Sequence, residues 1–173
     1  MKTWMGRLVA GVGTAALVAG VSVYEQSPVH AATATSPFVV SSSVAANCTI
    51  SSNPLAFGPY DPVVANAATN LDVNTTLSVA CTKGSTSAVS LDLGTHSAAA
   101  VRKMQNTVTA TELLTYELYT TGGRTTVWNT TNTVSYTSVG KAASPLTVFG
   151  RVPSGQDVAV GSYTDSVVAT ITF

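Results

Sequence analysis

The side chains that could perform acid–base chemistry are few in this sequence and widely spaced. His96 is the only histidine that follows His30. A serine-hydrolase site needs a nucleophile, a base and an acid that orients the base. No nucleophile motif and no acidic partner for His96 is evident from the residues around it. We interpret His96 as a solvated loop residue, and we predict a protein that is not an enzyme and has no catalytic residues.

The carboxylates do not suggest the paired acids of a glycosidase. Asp92 and Glu117 are expected to point out of their strands, and Asp165 is expected to pair with Arg151 or Arg102. The acids of the exported part of the chain all stand singly: Asp61, Asp72, Asp92, Glu112, Glu117, Asp157 and Asp165.

Two other patterns could mark binding sites. Gly122-Gly123-Arg124 has the composition of a phosphate-binding loop, but no helix pattern follows it, so it predicts a turn. Trp128 and Tyr119 could stack on a sugar, but both lie in partly apolar strand patterns. We interpret the two aromatic side chains as core packing.

The N-terminus has the pattern of a secretory signal peptide. Lys2 and Arg7 precede an apolar run over residues 8–23, and small residues follow near Ala31 and Ala32. We predict a signal peptide over residues 1–31, with cleavage after Ala32 as the alternative site. An uncleaved membrane anchor is the competing interpretation. The remaining chain has the usual size of one domain.

Composition favours a β-rich exported protein without a nucleic-acid partner. Charged residues make up 9% of the chain and the formal net charge is zero, whereas about 25% charged residues is typical. A chain without a basic excess has no field that would attract DNA or RNA. The many Thr, Ser and Val residues suit strands and are compatible with packing against copies of the same chain.

Cys48 and Cys81 are the only cysteines. An exported chain meets an oxidising compartment, so we predict that the two form a disulfide. A zinc site would need more ligands, and His96 could add only one. We therefore predict no metal site and no cofactor.

Alternating apolar and polar residues predict antiparallel strands with one buried face. The segment from 113 to 119 is predicted to be a central strand with Leu114, Tyr116 and Leu118 inward, and Gly122-Gly123 is predicted to turn the chain into a hairpin that reaches Trp128. A second predicted face holds Leu71, Val73, Thr75, Leu77, Val79 and Cys81.

Both ends of the exported chain also alternate. Near the start, Phe38, Val40, Ser42 and Val44 share one face, and one interpretation is an ordinary first strand of the domain's own sheet. At the end of the chain, a single strand held in a sheet is predicted, because five residues share one face: Tyr163, Val167, Ala169, Ile171 and Phe173. Short strands at intervals of about ten residues favour an immunoglobulin-like sandwich.

Eight segments in order resemble the spore coat protein U domain family, which includes major pilins of archaic (Csu-type) chaperone–usher pili. Among them are Asn47-Cys48-Thr49-Ile50 and Phe149-Gly150-Arg151-Val152-Pro153. The chain departs from the family in having Asn129 after Trp128, where glycine is common. The matching segments are residues 47–50, 57–61, 77–82, 91–94, 102–104, 113–119, 149–153 and 161–167.

The resemblance implies an all-β, immunoglobulin-like antiparallel sandwich that lacks its last strand and is completed by a strand from a neighbouring subunit. Such donation is a form of β-augmentation. It implies a donor extension over residues 32–46, ahead of a domain over residues 47–173. The side chains that would enter the neighbour's groove are Phe38, Val40, Ser42 and Val44. The edge of the accepting groove would hold Tyr163, Val167, Ala169, Ile171 and Phe173.

The function implied by the resemblance is that of a structural pilin. The chain would pass through the periplasm to the cell surface and polymerise into a fimbria for attachment and biofilm formation. Its partners would be copies of itself, a periplasmic chaperone, an outer-membrane usher and a tip adhesin. Two alternatives remain open: a spore or cell-coat protein whose N-terminal strand completes its own domain, and a carbohydrate-binding sandwich module.

Overall fold

The computed structural model describes residues 20, 25–26 and 28–173, and the described part folds from strands alone. The predicted signal peptide lies largely outside the described residues. The chain divides into residues 1–41 and residues 42–173, and the described strands all lie in the second unit. They are β1 (Cys48–Ser52), β2 (Leu71–Cys81), β3 (Thr86–Leu91), β4 (Arg102–Asn106), β5 (Leu113–Tyr119), β6 (Val134–Thr137), β7 (Ser144–Val152), β8 (Tyr163–Thr164) and β9 (Ala169–Thr172).

Two antiparallel sheets form the domain. The larger has six strands in the order β1-β2-β7-β5-β4-β8, and the smaller has three in the order β6-β3-β9. Every strand pair is antiparallel. The predicted all-β antiparallel class is therefore confirmed. Among the described residues, no helix is long and apolar enough to cross a bilayer.

The two strands with the clearest alternation form where the sequence places them. β2 and β5 begin and end at the predicted residues, and the Leu114, Tyr116 and Leu118 side chains are buried. The hairpin after β5 also forms, since the Trp128 amide donates to the Leu118 carbonyl at 2.8 Å. The buried apolar core consists of Leu77, Val79, Cys81, Val89, Leu91, Leu114, Tyr116, Leu118, Trp128, Val148 and Val152.

The prediction of one continuous C-terminal strand is wrong. β8 pairs with β4 in the larger sheet, whereas β9 pairs with β3 in the smaller one. Residues 165–168 cross between the two sheets without forming a strand. Every second side chain stays partly buried through the crossing. The sequence pattern therefore gave no sign that the chain changes sheets. Phe173, predicted to face inward, is 54% exposed.

The N-terminal segment forms no strand over residues 28–47, all of which are described. The interpretation of residues 38–46 as an ordinary first strand of the domain's own sheet is therefore wrong. The first strand is β1, which starts at Cys48. Cys48 lies directly opposite Cys81 in the β1–β2 register, and the two form a disulfide with an S–S distance of 2.04 Å.

A buried arginine joins the two sheets. The Arg102 side chain is fully buried at the start of β4, and its Nη1 lies 3.2 Å from Glu117 Oε2 on β5. Its Nε donates to the Asp92 carbonyl at 2.9 Å and its Nη2 donates to the Trp128 carbonyl at 2.7 Å. Trp128 is also fully buried, and its indole nitrogen donates to the Val89 carbonyl at 2.9 Å. Trp128 is therefore a core residue, as predicted, and Arg102 satisfies carbonyls at the end of β3 that no strand partner reaches.

Replacing Arg102 is expected to destabilise the domain strongly. Arg102→Met would remove the guanidinium that pairs with Glu117 Oε2 and donates to the Asp92 and Trp128 carbonyls, and breaking a buried ion pair typically costs about 3–5 kcal/mol in the free energy of unfolding. Arg151→Met is the matched control, because Arg151 pairs with Asp72 at the surface and such pairs contribute about 0–1 kcal/mol. Urea unfolding followed by Trp128 fluorescence measures both. Equal losses in the two variants would contradict the role assigned to Arg102.

Candidate functional site

An open apolar groove runs into the core of the domain and has a volume of about 1010 Å³. Core side chains that a closed sandwich would cover instead form its floor. They come from both sheets and include Leu77, Leu91, Met104, Leu114, Tyr116, Leu118, Val148 and Val152.

The first rim of the groove is the irregular segment between β1 and β2. Leu55 and Phe57 pack over β7 at Gly150, where an added Cβ would lie 2.9 Å from each of their side chains. Phe57 also meets the Tyr116 ring edge-on, with centroids 6.0 Å apart. The Tyr60 hydroxyl donates to the Pro153 carbonyl at 2.9 Å. The absence of a side chain at Gly150 therefore lets this rim lie close against β7.

The second rim is the segment over residues 158–169, which includes β8 and the crossing to β9. Of the five residues predicted to form the accepting edge, the groove is lined by Tyr163, Val167 and Ala169, while Ile171 and Phe173 lie outside the lining. β9 is the last strand of its sheet, so one of its edges has no strand partner among the described residues. An unpaired edge presents backbone donors and acceptors to any incoming strand.

Asp165 anchors this rim, although the sequence predicted other partners for it. Its side chain is 2% exposed. Oδ1 accepts from the Thr95 hydroxyl at 2.7 Å, from the Thr95 amide at 3.0 Å and from the His96 amide at 3.2 Å. Oδ2 accepts from the Tyr116 hydroxyl at 2.7 Å. The predicted pairing with Arg151 or Arg102 is wrong, because those guanidinium groups are paired with Asp72 and Glu117.

His96 has the acidic partner that the sequence did not reveal. Its Nδ1 lies 3.0 Å from Asp165 Oδ1 and its side chain is 30% exposed. A contact between histidine Nδ1 and an aspartate also occurs in the catalytic triads of serine hydrolases. The neighbouring Thr95 and Tyr116 hydroxyls both donate to the carboxylate, so this arrangement ties the rim to the core.

The charge state of the Asp165 carboxyl follows from these contacts. Burial acts to raise its pKa, but the hydrogen bonds from Tyr116, Thr95, the Ser166 amide and His96 outweigh burial and hold the pKa below the ordinary value. Burial, together with the hydrogen bond to Asp165, raises the pKa of the Tyr116 hydroxyl. At neutral pH the contact therefore joins a carboxylate to a neutral phenol.

The predicted donor residues lie in exposed chain. Phe38, Val40 and Val44 are 84%, 81% and 83% exposed, and Ser42 is exposed as well. The chain enters the domain immediately afterwards, where the Thr82 hydroxyl donates to the Ala45 carbonyl at 3.3 Å. Three large apolar side chains at alternating positions thus stand in solvent, which is unusual for an ordered protein surface.

The described residues hold no cluster of three or more His, Cys, Asp or Glu side chains that could bind a metal ion. The features that the sequence did not predict are the first rim, whose residues follow no regular period, and the His96–Asp165 contact, whose partners are far apart in the chain. The motif Phe57-Gly58-Pro59-Tyr60-Asp61 marked the first rim only as part of a resemblance.

Comparison with known proteins supports the same fold. One chain of the chaperone–tip subunit complex CsuC–CsuE, from archaic chaperone–usher Csu pili of Acinetobacter baumannii, superposes with a TM-score of 0.53 at 19% identity. The match covers 75% of this chain but only 40% of that one. At this identity the likeness concerns the fold alone.

Sequence comparison gives the family. Protein U of Myxococcus xanthus is 40% identical over 172 residues, a match that covers 92% of this chain and 96% of that protein. The family model of the Spore Coat Protein U domain matches residues 34–170, which include β1 to β8 and the start of β9. The chain therefore belongs to the spore coat protein U domain family.

Proposed function

We propose that this protein is a structural subunit that polymerises by donor-strand exchange into a surface fimbria for attachment and biofilm formation. The observation that carries the proposal is the open groove of about 1010 Å³, lined by core side chains of both sheets and bordered by β8, the crossing that follows it and the first residue of β9, Ala169. A groove of this kind leaves apolar surface and backbone groups unsatisfied, and a strand from outside the domain would satisfy both.

The proposed donor is the extension over residues 32–46 of a second copy. It carries Phe38, Val40, Ser42 and Val44 on one face, and all four are exposed. Burying one phenylalanine and two valines would contribute roughly 1.5–3 kcal/mol for each side chain, in addition to the backbone hydrogen bonds. Tension on such a joint would enter the domain at Cys48, where the disulfide ties β1 to β2.

The proposed partners follow from the exposed groove. Before assembly, an open apolar groove would favour aggregation, so a periplasmic chaperone that covers it and an outer-membrane usher that exchanges chaperone for subunit fit the chemistry. A tip adhesin would end the polymer. The localisation that goes with this proposal is the cell surface, reached through the periplasm after removal of residues 1–31.

A coat protein is the second candidate function. It is favoured by the match to Protein U, which extends along nearly the whole of both chains at 40% identity. In that case subunits would pack into a layer, and the extension over residues 32–46 would not be required for assembly through the groove. Deletion of the extension therefore separates the two candidates.

Deleting residues 33–46 is expected to abolish polymers without unfolding the domain. The full chain, exported and purified, should give heat- and detergent-resistant ladders on non-reducing gels and filaments in electron micrographs. The deletion variant should give neither, and its Trp128 fluorescence should remain that of a buried indole. Assemblies that persist in the deletion variant would overturn the pilin proposal and favour the coat protein, and a full chain that remains monomeric would overturn it and favour the binding module.

Single substitutions test which face of the donor is buried. Val40→Asp is expected to reduce the ladder fraction by about tenfold or more, because a carboxylate would have to enter the apolar groove. Val39→Asp is the matched control: Val39 is 93% exposed and would lie on the opposite face of an extended donor strand. Equal ladders from both variants would contradict donor-strand exchange, and a loss confined to Val39→Asp would contradict the assigned face.

A further inference from the structure

The second rim of the groove is held in place by side-chain contacts and by a few backbone hydrogen bonds, among them those from the Thr107 amide to the Ser162 carbonyl at 2.8 Å and from the Asp92 amide to the Val168 carbonyl at 3.0 Å. β8 contributes two paired residues, and residues 165–168 make no strand pairing. The Tyr163 hydroxyl donates to the Ala159 carbonyl at 2.6 Å, and the Ala159 amide donates to Glu112 Oε2 at 3.2 Å. A rim built in this way depends on a few polar anchors, because a sheet ladder does not fix its position.

Two carboxylates clasp the crossing to the loop that follows β3. The Asp165 carboxylate accepts more hydrogen bonds than the Asp92 carboxylate does. Asp92 Oδ1 accepts from the Gly94 amide and from the Val168 amide, each at 2.9 Å. Gly94 has φ of +79°, and any Cβ there would overlap the Asp165 carboxylate. The loop is thus shaped to receive Asp165, and the two acids together fix both ends of the crossing.

The crossing is also where the groove would receive its ligand. Asp165, Val167 and Ala169 line the groove. Val168, which lies between the last two, donates its backbone amide to the Asp92 carboxylate. Ordering a mobile rim at the moment of binding would subtract from the affinity, whereas a rim that is fixed in advance avoids this loss.

We propose that Asp165 is a positioning residue for the accepting groove: its carboxylate fixes the second rim in the conformation that receives a donor strand. This inference rests on the proposed function. Asp165 need not touch the donor strand, because it acts on the backbone of residues 163–169. Loss of the clasp would let the rim move while the core below, held by the β2–β7 and β5–β7 ladders, remains folded.

Acid should weaken the clasp. The titratable groups in contact with Asp165 are His96, from the loop after β3, and Tyr116, from β5. Arg102 on β4 and Glu117 on β5 act on the Tyr116 hydroxyl through their charges. Because the pKa of Asp165 is lowered in the folded protein, its stabilisation is present above the ordinary carboxyl pKa and is lost as the pH falls through the lowered value. Residues 32–46 contain no titratable side chain, so an acid effect on the joint must originate in the accepting domain.

The test compares the lifetimes of ladders formed by the full chain and by variants at Asp165, Tyr116 and Asp157. Asp165→Ala is expected to speed ladder dissociation in detergent by about tenfold or more, and Tyr116→Phe, which deletes one donor, by a smaller factor. Asp157→Asn is the matched control, since Asp157 is an exposed acid next to the same rim, and it should not change the lifetime. Trp128 fluorescence and an oxidised Cys48–Cys81 pair would show that each variant is folded.

The outcomes separate this inference from the proposed function. Absence of ladders from the unmodified chain would overturn the proposed function and this inference with it. Ladders of unchanged lifetime in folded Asp165→Ala would overturn the inference alone. If Asp165→Ala does not fold, the ladder lifetimes of Tyr116→Phe and Asp165→Asn test the inference instead. Asp165→Asn should show a smaller acceleration of dissociation by acid than the unmodified chain, and an equal acceleration would overturn the positioning role.

Discussion

The rest of the structure depends on a core that is left open along one side. Side chains of both sheets converge as they would in a complete sandwich, but a groove of about 1010 Å³ replaces the strand that would cover them. Apolar surface that stays in contact with water forgoes the roughly 25 cal/mol per Å² of stabilisation that burial would give. Such a domain must be stabilised by other interactions.

Polar contacts and the disulfide stabilise the two sheets around the groove. Arg102 reaches across from β4 to the end of β3, and Asp92 and Asp165 hold the crossing between β8 and β9. The disulfide fixes β1 to the sheet at the other side of the groove. In a chain with only 9% charged residues, a buried arginine joins the two sheets and two carboxylates hold the second rim, so polar contacts fix the geometry at these places.

The sequence predicted those parts of the fold that follow a simple period. β2 and β5 were predictable to the residue because their apolar side chains alternate and one face of each is buried. The prediction of one C-terminal strand was wrong for the same reason. The alternation continues from Tyr163 to Ile171, although the chain changes sheets after β8. Periodicity reports which side chains face inward and says nothing about which strand lies alongside.

The groove itself was only partly predictable. Its second rim came from a resemblance, and three of the five residues assigned to it line the groove. The first rim, with Leu55 and Phe57 over Gly150, has no period that a sequence pattern could reveal. The contact between His96 and Asp165 joins residues 69 positions apart, and the partners expected for Asp165 were already committed to other acids. Long-range polar contacts of this kind are decided by the folded geometry, which local pattern does not encode.

The central claim is that the groove of one subunit holds the N-terminal extension of another. The most direct measurement places a photo-crosslinking amino acid at position 40 and mixes ¹⁴N- and ¹⁵N-labelled subunits before assembly, so that mass spectrometry distinguishes crosslinks between chains from crosslinks within one chain. The account predicts mixed-isotope crosslinks from position 40 to the two rims, residues 54–60 and 158–167. Crosslinks found only between peptides of the same isotope would contradict it, because the extension would then complete its own domain.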